Sequence, residues 1–117
     1  MARLAEQGED LAVTPQVIIE FWSVATRSVA SNGLGWNPVT VADEVDLILG
    51  QFEFLDDTPA VFEHWLRLNT SAGILGKQVH DARLVAVMLV HGVTHLLTFN
   101  AGDFQRFAEI VVVVPDP

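Results

Sequence analysis

Apolar residues fall along this chain in short blocks, some with the period of a helix and some with that of a strand. Residues 2–7 read as helical and stop at Gly8. Leu11-Ala12-Val13 is a brief apolar strand, and Thr14-Pro15 then gives an N-cap with proline in the first helical turn. The helix so started runs through Gln16-Val17-Ile18-Ile19-Glu20-Phe21-Trp22-Ser23-Val24-Ala25, and Ser31-Asn32-Gly33-Leu34-Gly35 is a loop rich in breakers. Thr40-Val41-Ala42-Asp43 has capping-box spacing and predicts a second helix ending near Gly50. Phe52-Glu53-Phe54-Leu55 alternates like a strand. Asp57-Thr58-Pro59 repeats the cap-and-proline signal for a helix through Leu68. After a loop over residues 73–77, an apolar helix is predicted over residues 81–91 with Gly92 as its stop. A strand over 95–99, a helical turn over 103–107 and a strand over 110–114 complete the pattern.

Strands that alternate with helices and are themselves buried predict an α/β fold. The expected form is a doubly wound, mostly parallel sheet with helices on both faces. At 117 residues the chain is expected to be one domain over residues 1–117. Half of the residues are hydrophobic and 18% are charged, which argues against disorder. The longest apolar runs, residues 84–90 and 110–114, are too short to span a bilayer, and no secretory leader is recognised. The absence of cysteine excludes disulfides and thiolate metal sites, and makes the reducing cytoplasm the default expectation.

The net charge of −9 changes the picture. A protein that held nucleic acid by phosphate neutralisation alone should be basic, whereas this chain has six cationic side chains against 15 acidic ones. Either a polyanion is held through divalent cations and a few arginines, or the partner is something else, for which a basic protein is suited.

The candidate chemistry is carboxylate chemistry. Asp81 opens the apolar helix, Asp103 follows directly after the strand that ends at Phe99, and Glu20 interrupts an apolar helix face. Each has a plain structural reading. Glu20 fits a solvated stripe with Gln16, Ser23 and Arg27; Asp81 favours the positive end of its helix; Asn100 and Asp103 suit a turn. Taken together, the three acids are expected at the carboxyl edge of the sheet, where such folds hold ligands. Carboxylates gathered there repel one another, which points to Mg²⁺ or Mn²⁺ as the neutralising ion, with Thr98 and Asn100 positioning the acids or a water. His64, His80, His91 and His95 have no zinc-site spacing. Trp22, Trp36 and Trp65 read as core or interface residues, and Gly33-Leu34-Gly35-Trp36 as a partner-facing loop or a plain connection.

Three segments together resemble the PIN-domain nucleases, and most of all the VapC-type ribonuclease toxins of toxin–antitoxin pairs. They are Thr14-Pro15-Gln16-Val17-Ile18-Ile19-Glu20-Phe21-Trp22, His80-Asp81-Ala82-Arg83-Leu84-Val85-Ala86 and Leu97-Thr98-Phe99-Asn100-Ala101-Gly102-Asp103-Phe104. The resemblance implies a Mg²⁺- or Mn²⁺-dependent endoribonuclease that is silenced by a small antitoxin and commonly dimerises. By motif, Glu20, Asp81 and Asp103 match the family's metal-binding acids, and Thr98 and Asn100 match the polar residues beside the last of them.

The family begins with an apolar strand ending in an aspartate, and no such segment is found here. A strand and a helix, roughly 17 residues at average lengths, would have to precede Met1, and Asp10 would enter its strand at the wrong end. The expectation is a PIN-like domain shortened at its N-terminus, with catalysis impaired or lost. The competing reading is a catalytically inactive binding module that engages an antitoxin. A receiver-like signalling domain also clusters acids at strand ends, but lacks its usual lysine here, since only Pro115-Asp116-Pro117 follow Val114.

Overall fold

The computed structural model describes residues 11–115, and the helix expected over residues 2–7 lies outside them, as does Asp10. The chain divides into two compact units, residues 11–55 and 56–115 of the described chain.

In the first unit, β1 (Ala12–Val13) pairs in parallel with β2 (Glu53–Phe54), with Ala12 opposite Glu53 and Val13 opposite Phe54. Helices α1 (Pro15–Thr26) and α2 (Pro38–Gln51) lie between the two strands in the chain and pack on each other. Thr14 caps α1, its hydroxyl oxygen accepting from the Val17 amide at 3.2 Å. The loop after α1 includes a 3-10 turn (Val29–Ser31) and folds back on the helix. The Leu34 amide donates to the Val24 carbonyl and the Trp36 amide to the Ala25 carbonyl, while the Trp36 ring meets Phe21 edge-on at 6.4 Å. The segment from Gly33 to Trp36 is therefore tied back to α1, with Leu34 and Trp36 still partly exposed. Gly33 itself sits where a Cβ would come within 2.0 Å of the Arg27 carbonyl oxygen, so no larger residue fits without moving the backbone. Helix α2 starts one turn earlier than its capping-box spacing predicts. Asn37 is the cap, accepting from the Thr40 amide at 2.9 Å, and Pro38 takes the first turn. Asn37-Pro38 is itself a cap-and-proline signal, and it outcompetes Thr40.

In the second unit, α3 (Pro59–Ser71) packs along α4 (Gln78–Val90). Val61 and Leu68 of α3 and Ala82, Leu84, Val85, Ala86, Val87 and Met88 of α4 are buried. A helix buried on almost every side needs no amphipathic stripe, which is why α4 reads as a continuous apolar run. Burial of each of its valine, leucine or methionine side chains contributes about 1.5–3 kcal/mol. Trp65 fixes the start of α4 to α3, its indole N–H donating to the Val79 carbonyl at 2.8 Å. Gly92, at φ +71°, stops the helix as expected: its amide donates to Leu89 and the Val93 amide to Met88, satisfying carbonyls of the last turn. Strand β3 (His95–Leu97), the short helix α5 (Ala101–Phe104) and β4 (Val111–Val113) follow, and β3 pairs in parallel with β4. Phe104, Phe107 and Ile110 anchor this end in the core.

The parallel α/β class expected from the sequence holds, with a difference in the sheet. The described strands make two separate parallel pairs, β1–β2 and β3–β4, where a continuous sheet was expected. Strands of two or three residues make few ladder bonds, and each described strand has one partner, so the helices carry most of the packing.

Two identical Thr-Pro starts behave differently. The Thr14 hydroxyl caps its helix, whereas the Thr58 hydroxyl oxygen is buried and makes no hydrogen bond. Thr14→Ala should therefore cost about 1–2 kcal/mol of stability. Thr58→Val should be neutral or stabilising by up to about 1 kcal/mol, because it removes an unsatisfied polar group. Urea unfolding of the two variants checks both, and an equal loss in each would show that Thr58 caps its helix after all.

Candidate functional site

The second unit holds four of the five site residues expected from the sequence. Asp81 lies in the first turn of α4 and is half-buried, near the positive end of the helix dipole. The others occupy one tight strand-to-helix turn. The Thr98 amide, just past β3, donates to the Val113 carbonyl at 2.9 Å. Its hydroxyl oxygen accepts from the Asn100 amide at 3.0 Å, and the Asn100 carbonyl accepts from the Asp103 amide at 3.1 Å. Asn100 is the N-cap residue of α5, but its side chain makes no capping bond and is exposed. Asp103, in the first turn of α5, is also exposed. Helix α5 packs against both α4 and β4.

Glu20 belongs to the first unit. It is exposed on α1 and accepts a hydrogen bond from the Gln16 side chain at 3.3 Å, with Ser23 and Arg27 also exposed, as the solvated-stripe reading expects.

Among the described residues, no three Asp, Glu or His side chains come together as a group that could hold a metal ion. Thr98, Asn100 and Asp103 form a local cluster, but the described carboxylates do not by themselves make a complete site for Mg²⁺ or Mn²⁺, which take several oxygen ligands. Two of the histidines are otherwise engaged. His91 Nε2 lies 2.8 Å from the Asp56 carbonyl and His95 Nδ1 lies 2.7 Å from the Thr94 hydroxyl.

Two features escape a reading of the sequence. Arg83 forms an ion pair with Asp57, 26 positions away, at the mouth of a cavity of about 350 Å³ walled by Thr58, Val61, Phe62 and Trp65. Both partners are more than a third exposed, so the pair contributes at most about 1 kcal/mol. The only sequence signal was a lone arginine in an otherwise apolar helix. The second feature is Phe99, read from the sequence as the last residue of a strand over 95–99, which stands 80% exposed just past β3, between Thr98 and Asn100.

Comparison with known proteins bears on this arrangement. The fold is similar to that of a chain in the crystal structure of VapBC2 from Rickettsia felis bound to a DNA fragment from their promoter. The TM-score is 0.72 at 17% identity, over 98% of this chain and 82% of that one. No curated protein matches the sequence. The family model for the PIN domain matches residues 1–110, a span that takes in the first unit, the second as far as Ile110, and Glu20, Asp81 and Asp103. An acid opening α4 and a Thr-x-Asn-x-x-Asp turn after β3 are thus features of a chain that belongs to the PIN domain family.

Proposed function

We propose that this chain is a VapC-type endoribonuclease toxin, cleaving RNA phosphodiesters with Asp81 and Asp103 as its central acids and Glu20 as a third. The match to the PIN domain over residues 1–110 carries the reading. The braced turn after β3 supports it: Thr98 uses its hydroxyl to hold the Asn100 amide, leaving the exposed Asn100 amide group able to donate to a phosphate oxygen. Mg²⁺ or Mn²⁺ held by Glu20, Asp81 and Asp103 belongs to the same proposal, and such an ion supplies charge neutralisation and an acidified water. Because the described carboxylates do not form a complete three-ligand group, the ion is the first thing to test.

A fluorogenic single-stranded RNA should be cleaved in Mn²⁺, should survive in excess EDTA, and should be cleaved again when Mn²⁺ is restored. Cleavage that persists undiminished in EDTA would remove the metal from the proposal.

The partner proposed is an antitoxin, with a second copy of the chain as a further associate. Exposed apolar side chains support association: Ile19, Val39 and Leu47 in the first unit, Phe62, Leu66 and Leu75 in the second. The net charge of −9 favours a basic partner. No helix among the described residues is long and apolar enough to cross a membrane. The second reading, an inactive PIN-like module that binds antitoxin, is favoured by the lack of a three-acid group among the described residues. It expects a folded chain that cleaves no RNA at any Mn²⁺ concentration.

A further inference from the structure

We infer that Phe99 is a base-stacking residue, whose ring receives a nucleobase of single-stranded RNA beside the turn that carries Asn100 and Asp103. The inference rests on the ribonuclease reading above and adds to it how an acidic chain holds its substrate.

Phe99 is the most exposed large hydrophobic side chain among the described residues. Its segment contains three phenylalanines, and the other two, Phe104 and Phe107, are 6% and 1% exposed and pack on each other. Phe99 takes part in none of the ring pairs found among the described residues. The outward position is imposed by the backbone. Thr98 is tied to Val113 on one side, and the Thr98 hydroxyl, the Asn100 amide and the Asp103 amide close the turn on the other. A singly exposed apolar side chain is ordinary in itself; what singles out Phe99 is a flat ring held by a braced turn directly between Thr98 and the exposed Asn100.

Charge selects the kind of ligand contact. With six cationic side chains against 15 acidic ones, phosphate neutralisation by the protein's own side chains contributes little to RNA affinity. Stacking is indifferent to the charge of the protein and tolerant of sequence, since every base has a flat face. A lone ring between the polar Thr98 and Asn100 suits one splayed base better than a protein surface, which requires a contiguous apolar patch. A base on Phe99 would bring its adjoining phosphates to the turn where Asn100 and Asp103 are exposed.

The test is steady-state cleavage of a short single-stranded RNA in Mn²⁺ by the wild type and by F99A, F99L and F99W, with thermal unfolding of each. F99A should raise KM roughly 5- to 150-fold, the range of one lost stacking contact, with little change in kcat or in melting temperature. F99W should restore KM. F99L, which keeps apolar bulk but has no aromatic face, should not. Stepping one abasic nucleotide through the substrate should identify a position at which wild type and F99A become equal. An unchanged KM in F99A, or rescue by F99L as good as by F99W, overturns the inference while leaving the nuclease reading intact. A folded wild-type chain that cleaves no RNA overturns both.

Discussion

An Asp81→Asn chain should remain folded and lose RNA cleavage by a factor of about 100 to 1,000. In the proposed site Asp81 acts by holding the ion, and losing the ion's stabilisation of transition-state charge has effects of that order. Asparagine keeps the shape of the side chain, so the helix start and the packing of α4 are retained. Part of what is removed is a negative charge in the first turn, where it favours the helix dipole by about 0.3–1 kcal/mol. That loss is small beside a total stability of about 5–15 kcal/mol. The measurement pairs single-turnover cleavage in Mn²⁺ with urea unfolding of the same preparation. A large loss of cleavage with a small loss of stability places Asp81 in the chemistry. Cleavage within a few-fold of wild type would remove it from the site, and cleavage absent from wild type and variant alike would favour the binding module.

Phe107→Ala should cost about 3–5 kcal/mol, the typical loss for emptying a buried aromatic site. Phe107 is 1% exposed, pairs with Phe104 at a centroid distance of 6.4 Å, and lies between α5 and β4. Its ring packs on Phe104, which belongs to the same short helix as Asp103, so cleavage should fall along with stability. Urea unfolding followed by tryptophan fluorescence reports the cost, with Trp65 as the probe inside the same unit. A cost below about 1 kcal/mol would mean that Phe104 and Ile110 collapse into the space and that this anchor is dispensable.

The two expected effects have different origins in the sequence. Asp81 is visible because a carboxylate at the head of an apolar helix breaks a pattern. Phe107 reads as one apolar residue among many, and its importance comes from being enclosed. The same contrast applies to the termini of elements. Thr14-Pro15 and Gly92 mark helix ends through backbone constraints that act over a few residues, and the structure places both as expected. Thr40 misleads because two adjacent caps compete, and Asn37 with Pro38 wins. Thr58 misleads in another way: the helix does begin there, but burial turns its hydroxyl away from the capping bond.

Local chemistry therefore determined the order of helices and strands, the parallel α/β class, and the positions of Asp81, Thr98, Asn100 and Asp103 at a helix start and a strand end. These follow from periodicity, proline, glycine and capping residues, whose effects reach no further than a turn or two. The tertiary structure decided what depends on distant partners: the two separate strand pairs, the Asp57–Arg83 ion pair, and the lack of a three-acid group among the described residues. It also decided that Phe104 and Phe107 are enclosed while Phe99 is left in water. Nothing in the composition of that segment separates the three rings, because enclosure depends on which neighbours the whole fold brings to each side chain.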